Sequence, residues 1–195
     1  SVSGSDLIIL CTPVDIILEQ LKKISKWIQP GCLLTDIGSL KHDICMAAEN
    51  YLLNDHASFI GSHPMTGSEK SGIDYAHASI FLGKTCLLTP RKQTHLSQVH
   101  KIETMWNALG MKVIKLDSAE HDEIVAWVSH LPHVMASAIV NTFKGKDENW
   151  ITLSGNGLKD TTRIASGNPE MWKQILLGNR KNLIDSMDEI ITQLN

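Results

Sequence analysis

The chain has 195 residues, a net charge of −3 at pH 7 and 43% hydrophobic residues, which is enough to bury a sizeable core in one large domain or two small ones. Its sequence pI is near 6.3, so it lacks the basic surface that binding to nucleic acid through phosphate contacts requires. These properties argue against a nucleic-acid-binding protein and favour a small-molecule partner.

Alternating strands and helices are predicted over residues 1–116. Apolar runs predict strands at 6–14, 32–38, 57–64, 84–90 and 111–116, and apolar side chains at helical spacing predict helices at 14–28, 41–53 and 94–109. This alternation is typical of an α/β domain with a mainly parallel sheet covered on both faces. The sequence therefore predicts a partial nucleotide-binding domain of the Rossmann type over this segment.

The rest of the chain, residues 117–195, reads as helical and no further strand is predicted. Helices are expected at 118–143, with an interruption at Pro132, at 157–166, and from an N-cap at 168 to about 194. A helical segment of this size has a small core, so we expect it to pack against a second copy of the chain.

No G-x-G-x-x-G phosphate loop precedes a helix anywhere in the sequence. Because a strand opens at residue 6 and leads directly to the predicted ligand rim, we expect the chain to enter the fold partway through. The preceding segment, roughly 60 residues in such folds, carries the phosphate loop and the ribose-binding acid.

The sequence has four widely spaced cysteines, and no two of them form a C-x-x-C pair. They are Cys11, Cys32, Cys45 and Cys86. We expect reduced, structural thiols, as in a cytoplasmic protein. No apolar run approaches the roughly 20 residues that span a bilayer, and the first residues, SVSGSD, lack the features of a signal peptide. No membrane partner is expected.

The motif FIGSHPMTGSEKSG, residues 59–72, ends the third predicted strand in a cluster of polar side chains. Ligands of parallel sheets bind beyond the carboxyl ends of the strands, and a core histidine more often lies within an element. His63 is therefore a candidate functional residue. Ser39, on the neighbouring loop DIGSLK, is either a site residue or a helix cap.

Three histidines, His121, His130 and His133, lie in the segment HDEIVAWVSHLPH. A zinc site is disfavoured, because the spacing differs from that of H-E-x-x-H and no cysteine supplements it. These side chains are expected to face a substrate or to be polar groups in the core.

The segment GNGLKDTTRIASGNPEMW contains Arg163, which is expected to pair with a ligand carboxylate, with Asp160 or with a surface partner. Trp150 and Trp172 are expected to be core residues rather than ligand walls.

Five motifs together resemble the prephenate and arogenate dehydrogenases of tyrosine biosynthesis, in order and spacing, over essentially the whole chain: CTPV, TDIGSLK, FIGSHPMTGSEKSG, HDEIVAWVSHLPH and GLKDTTRIASGNPEMW. The resemblance implies a Rossmann-type domain that holds NAD or NADP, and a helical domain that binds substrate and forms a homodimer. It also implies an oxidative decarboxylation of prephenate, in which hydride leaves ring C4 for the cofactor and the ring carboxylate departs as CO2.

The resemblance also implies the roles of individual residues. His63 would accept a hydrogen bond or proton from the substrate's 4-hydroxyl, Ser39 would orient His63, and Arg163 would bind a substrate carboxylate. The other implied substrate-site residues are His130, His133, Ser68, Glu69, Asp160 and Trp172, and those along the cofactor are Thr12, Pro13, Asp36 and Ser39.

Three alternatives remain open at the level of the sequence. The first is that the substrate is arogenate instead of prephenate. The second is that the chain is a β-hydroxyacid or pyrroline oxidoreductase, for which Lys159 is the only candidate catalytic lysine in the motif region. The third is that the chain is a non-catalytic dimerisation or binding module.

Overall fold

The structure of the chain is a computed structural model that describes residues 2–52, 57–67 and 73–195. It divides into two compact units, Ser1–Asp122 and Glu123–Asn195. We refer to them as the first unit and the second unit.

Five strands of the first unit form one sheet in chain order. They are β1 Leu7–Leu10, β2 Cys32–Asp36, β3 Ala57–Pro64, β4 Thr85–Thr89 and β5 Lys112–Lys115. β1, β2 and β3 run parallel, as do β4 and β5, whereas β3 and β4 are antiparallel. The predicted α/β class with a mainly parallel sheet is confirmed, and each strand lies within its predicted range.

Helices of the first unit connect these strands. They are α1 Val14–Ile24, α2 His42–Tyr51 and α3 Leu96–Ala108, with shorter 3₁₀ turns at Ser25–Trp27, Ile73–Tyr75 and Ala78–Phe81. Leu34 and Phe59 pack with α1 and α2, whereas Leu33 and Ile60 pack with α3. This separation follows from the strand geometry, since consecutive side chains point to opposite faces of a sheet. Both faces are covered, as a parallel sheet requires.

From Ser118 onwards the described chain contains helices and no strand. The helices are α4 Ser118–Val125, α5 Leu131–Thr142, α6 Asn149–Thr152, α7 Asn156–Thr162, α8 Pro169–Gly178 and α9 Arg180–Leu194. A π-helical turn, Ala126–His130, joins α4 to α5, and a 3₁₀ turn, Arg163–Ser166, follows α7. The predicted helical segment is confirmed, with one short additional helix, α6.

The predicted interruption at Pro132 takes the form of a π-helical turn, Ala126–His130, directly before it, and the helical run continues beyond this turn. Pro132 lies in the first turn of α5, where a missing backbone N–H has the smallest cost. The wider π turn precedes it directly, and such turns accommodate a local irregularity without ending a helix.

The segment 168–194 forms two helices rather than the predicted single one. Asn168 accepts a hydrogen bond from Met171 N at 3.0 Å and is the N-cap of α8, as predicted. The break falls at Asn179, which has φ −113° and ψ 28° and separates α8 from α9. The apolar spacing of the sequence continues across the break, so the sequence pattern does not indicate that one helix ends there and another begins.

Among the described residues, one helical run is long and apolar enough to cross a membrane. It is Ser118–Thr142, whose most apolar window has a mean hydropathy of 1.3 and is 33% buried. The expectation that no stretch approaches this length was wrong, because the helix continues through Pro132. A core helix passes the same test, so length and composition alone do not establish a membrane span.

Gly61 of β3 leaves space for the buried side chain of Lys41. A Cβ atom built at Gly61 would overlap Thr89 Oγ1 and would lie 3.0 Å from Lys41 Cδ and 3.3 Å from Cys45 Sγ. Since protein interiors are close-packed, a methyl group here requires β4 or the lysine stem to move.

We expect Gly61→Ala to lower the free energy of unfolding by about 1–3 kcal/mol, the usual cost of overpacking a core. Urea titration followed by circular dichroism measures this change. Gly67→Ala is the matched control, because nothing lies within 4 Å of a Cβ at Gly67. Equal stability of the two variants would contradict the packing assigned to Gly61.

Candidate functional site

His63 lies near the carboxyl end of β3 and contacts a second histidine of the first unit. Its Nδ1 is 2.8 Å from Nε2 of His121, and the two ring centroids are 5.0 Å apart with a tilt of 58°. The side chain of His121 is completely buried. The ring nitrogens are close enough for a direct hydrogen bond.

The chain of polar contacts continues from His121 to Asp122. His121 Nδ1 is 2.7 Å from Asp122 Oδ1. The same carboxylate accepts the backbone N–H groups of Lys41 at 2.8 Å and His42 at 3.0 Å. These amides begin α2, whose N-cap residue makes no side-chain capping bond. Asp122 therefore caps α2 from a distant part of the sequence.

The carboxyl group of Asp122 favours its ionised form. Burial alone would raise its pKa, but the hydrogen bond with His121 and those from the amides of Lys41 and His42 outweigh burial and lower the pKa below 3.8. The site thus contains a buried carboxylate with three donors.

Asp36, at the end of β2, forms a second buried network. Its side chain and that of Lys41 are both fully buried and form an ion pair. Asp36 also accepts the backbone N–H groups of Gly38 at 2.8 Å and Ser62 at 3.2 Å. Burial raises the pKa of Asp36, while Lys41 and these two amides oppose the increase. Every contact of this carboxylate holds the loop between β2 and α2 or the strand that carries His63.

The buried side chain of Asp36 thus has a structural role. The prediction that Asp36 lies along the cofactor therefore concerns its position at the end of the strand, not its side chain. At the end of β1, Thr12 is half-buried and donates to Gln20 Oε1 at 2.9 Å, and Pro13 is exposed. The cofactor contacts of all three residues stay predictions.

Ser39 lies half-buried on the loop between β2 and α2. Ser39 does not cap α2, because Asp122 accepts the hydrogen bonds of the first backbone amides of this helix. Of the two roles predicted for Ser39, that of a helix cap is therefore wrong. Its hydroxyl makes no hydrogen bond to any described residue. The ring that contacts His63 Nδ1 belongs to His121, so the orienting role of Ser39 stays a prediction.

In the second unit, His133 and Trp172 form a stacked pair. Their ring centroids are 3.6 Å apart and their planes differ by 8°. His130 meets the edge of Trp172 at 6.2 Å, and its Nδ1 is 3.1 Å from Nδ2 of Asn179. Because the amide NH₂ is a donor, Nδ1 of His130 is the acceptor in this contact.

His133 is 5% exposed, and this burial lowers its pKa, although a hydrogen bond to the carbonyl of Ile164 opposes the change. Its Nδ1 is buried without a hydrogen-bond partner among the residues that the structure describes. A buried polar atom of this kind is costly unless a ligand or water satisfies it.

Arg163 and Asp160 are both exposed and form no ion pair with each other or with any other described residue. The guanidinium of Arg163 therefore remains available for a ligand anion. Trp172 is half-buried, but Trp150 is 53% exposed on α6, so the expectation that Trp150 is a core residue was wrong. Ser68 and Glu69 lie outside the described residues.

No group of three metal-ligating side chains occurs in the part of the chain that the structure describes. Its cysteines are free, with Cys11 exposed and the other three buried. Burial raises the pKa of Cys45 to about 11 and that of Cys86 to about 12. These two thiols are protonated at neutral pH and act as packing groups.

Asp122 and Lys41 were not among the site residues predicted from the sequence, and His121 was predicted only to face a substrate or to be a polar group in the core. His121 and Asp122 lie within α4, the helix that follows β5. Lys41 is the last residue of the motif TDIGSLK. Their contacts with α2 and Asp36 join residues up to 81 positions apart, which no local pattern reveals.

We expect Asp122→Asn to lower the free energy of unfolding at pH 7 by about 1–3 kcal/mol, because the amide loses the charge that three donors stabilise. A carboxyl with a lowered pKa contributes stability above pH 3.8, its value when unfolded, and this contribution is lost as the pH falls through the lower folded value. The difference between variant and wild type should therefore shrink below pH 3.8.

Urea unfolding of both proteins at pH 7, 5, 4 and 3 tests this expectation. Asp43→Asn is the control, since Asp43 is exposed in the first turn of the same helix. A constant difference across this pH range would show that the charge of Asp122 is not the cause.

We expect Gly167→Ala to displace Trp172 from His133. A Cβ at Gly167 would lie 2.5 Å from Trp172 Nε1 and 2.9 Å from its Cδ1, which should cost about 1–3 kcal/mol of unfolding free energy and change the near-UV circular dichroism of tryptophan. The control Gly157→Ala has open space around its Cβ in α7 and should be neutral or stabilising. An unchanged near-UV spectrum in Gly167→Ala would contradict this packing.

Comparison with known proteins assigns both units. Residues 1–115 match the family model described as prephenate dehydrogenase, nucleotide-binding domain, and residues 117–195 match that described as prephenate dehydrogenase, dimerization domain. The chain is 32% identical over 193 residues to a prephenate dehydrogenase of Bacillus subtilis, covering 96% of this chain and 52% of that protein. It spans about half the length of the curated relatives it matches.

Solved structures show the same likeness. The prephenate dehydrogenase from A. aeolicus, solved in complex with hydroxyphenyl propionate and NAD+, has a TM-score of 0.88 and 34% identity, over 97% of this chain and 66% of that one. An arogenate dehydrogenase from Synechocystis has a TM-score of 0.83 and 31% identity, over 98% of this chain and 69% of that one. With both family models matched in order along its length, the chain belongs to the prephenate dehydrogenase family.

Proposed function

We propose that the full-length protein containing this chain is an NAD(P)-dependent prephenate dehydrogenase, which converts prephenate to 4-hydroxyphenylpyruvate by oxidative decarboxylation. The observation that carries the proposal is the position of His63. It lies near the carboxyl end of a strand in the nucleotide-binding unit and is hydrogen-bonded to the buried His121. An imidazole held in this way is suited to accept a proton beside a bound cofactor.

The first unit fits a nicotinamide cofactor at the carboxyl ends of its parallel strands. The end of β1 leaves Pro13 exposed and Thr12 half-buried, and ligands of such sheets bind at this edge. We assign Thr12, Pro13 and the loop from Asp36 to Ser39 to cofactor contact. The nicotinamide, when bound, accepts the hydride, and the relative solved with NAD+ supports this assignment.

His63 accepts the proton of the substrate's 4-hydroxyl group in the proposed reaction. The O–H bond of this hydroxyl group breaks, a carbonyl begins to form at ring C4, and the hydride on C4 leaves for the nicotinamide. The ring carboxylate departs as CO2, its bonding electrons complete the aromatic ring, and the C4 oxygen takes back the proton held by His63 to end as a phenol. A neutral imidazole is required for this role, so activity depends on the unprotonated form of His63.

Substrate binding is assigned to residues of the second unit. The exposed guanidinium of Arg163 has no ion-pair partner among the described residues and suits a substrate carboxylate. The buried Nδ1 of His133, which also lacks a described partner, supports contact with a polar group of the ligand. The remaining proposed substrate residues are His130, Trp172, Asp160, Ser68 and Glu69.

The protein is further proposed to be a homodimer through its helical segment, which matches the dimerization model. Large apolar side chains of this unit are exposed in the single chain, including Trp150 at 53%, Leu177 at 63% and Ile191 at 52%. Covering them with a second copy would remove apolar surface from water. Cytoplasmic location stays a prediction from the sequence.

Arogenate is a second candidate substrate, because the chain resembles an arogenate dehydrogenase nearly as closely as it does the prephenate enzymes. Absorbance at 340 nm, measured with NAD+ and NADP+ in turn against prephenate and arogenate, distinguishes the two. Absence of turnover with all four combinations by the full-length protein would refute the proposed function.

We expect His63→Asn to reduce kcat by about 10²–10⁴-fold, the usual contribution of a general base, with little change in the Kd for the cofactor. Steady-state assays and cofactor titration by calorimetry measure the two effects. His100→Asn is the control, since His100 is exposed on α3. Undiminished turnover in His63→Asn would remove His63 from the reaction.

A further inference from the structure

We propose that His121 and Asp122 are positioning residues that fix the resting proton of His63 on Nδ1, so that Nε2 is the basic nitrogen that receives the proton of the substrate hydroxyl. This inference rests on the proposed function, in which His63 is the proton acceptor. It goes further by naming the reacting nitrogen and the two residues that select it.

The direction of the hydrogen bonds is set at the Asp122 end of the chain. Its two carboxylate oxygens accept backbone N–H groups from Lys41 and His42, at 2.8 and 3.0 Å. Backbone amides can only donate, so both oxygens act as acceptors in these contacts. Oδ1 is also the atom that His121 Nδ1 approaches at 2.7 Å. The His121 Nδ1 must therefore carry a proton and donate it to Asp122.

This assignment decides the state of the other nitrogen of His121. A second proton on Nε2 would place a full charge on a completely buried ring, and the desolvation cost of that charge opposes it even beside the Asp122 carboxylate. With its single proton on Nδ1, His121 presents a lone pair at Nε2. That nitrogen is then a hydrogen-bond acceptor.

His63 Nδ1 lies 2.8 Å from this acceptor and so must be the donor. A neutral histidine has one N–H, and placing it on Nδ1 leaves the lone pair of His63 on Nε2. When the substrate O–H bond breaks, its proton forms the new N–H bond at Nε2. The resulting imidazolium still donates from Nδ1 to His121, and the Asp122 carboxylate balances its charge.

Burial makes the selection strict. The side chains of His121 and Asp122 are 0% and 7% exposed, so water has little access to supply a competing donor to His63 Nδ1. Asp122 is also fixed by the first turn of α2, which holds its oxygens in place. The choice of the protonated nitrogen in His63 therefore depends on a carboxylate whose orientation is fixed by two backbone amides.

The experiment is a long-range ¹H–¹⁵N correlation spectrum of the full-length protein labelled with ¹⁵N-histidine, in which the tautomer of each neutral ring is read from its nitrogen shifts. His63→Asn assigns the signals of His63. We expect the Nδ1–H form in the wild type. His121→Phe, which keeps ring volume but offers no acceptor, should shift His63 towards the Nε2–H form, and His121→Gln, whose amide oxygen can accept, should retain more Nδ1–H. His100→Phe, at an exposed site, is the control.

Kinetics supply the second readout. His121→Phe should reduce kcat by on the order of 10–100-fold at little cost in KM, since only the transition state uses the selected nitrogen, and His121→Gln should recover part of the loss. An Nε2–H form of His63 in the wild type, or an unchanged tautomer in His121→Phe, would overturn the inference. If His121→Phe does not fold, the wild-type spectrum alone decides. An Nδ1–H His63 in a protein without dehydrogenase activity would instead refute the proposed function.

Discussion

The buried ion pair between Lys41 and Asp36 is the interaction on which the first unit's site depends. Both side chains are fully buried, and breaking such a pair by removing one partner typically costs about 3–5 kcal/mol. Asp36 also holds Gly38 and Ser62, and the backbone of Lys41 contacts Asp122. One lysine thereby connects the end of β2, the start of α2 and the carboxylate behind the histidine pair. The absence of a side chain at Gly61 gives its stem the space to do so.

Two buried carboxylates beside the same lysine have different tasks. Asp36 meets a cation and two amides and fixes the loop after β2, whereas Asp122 meets an imidazole and two amides and fixes α2. Burial raises the pKa of Asp36, but the donors around Asp122 lower its pKa. Each carboxylate has three donors, so the complete burial of Asp36, against 5% exposure of Asp122, is what separates the directions of the two pKa shifts. Only Asp122 is linked through a ring to His63.

The sequence predicted the strands well because their signal is local. Runs such as DLIIL and CLLTD are continuous in apolar side chains, and turn residues bound them. His63 was recognisable from its place at a strand end. The contact between Asp122 and α2 was not, since it joins residues 81 positions apart. The break at Asn179, whose side chain contacts His130, was also missed, because the apolar spacing runs through it unchanged.

The π turn at Ala126–His130 determines what an insertion or deletion there would do to this chain. A π turn contains one residue more than an α turn, and each residue of a helix rotates the chain by about 100°. Deleting one residue there would allow a regular α-helix and strengthen its local hydrogen bonding. It would also rotate the residues that precede the deletion by about 100° relative to α5, which would take them off the face that the turn presents to α9. The packing of this short stretch therefore depends on its length as well as on the identity of its residues.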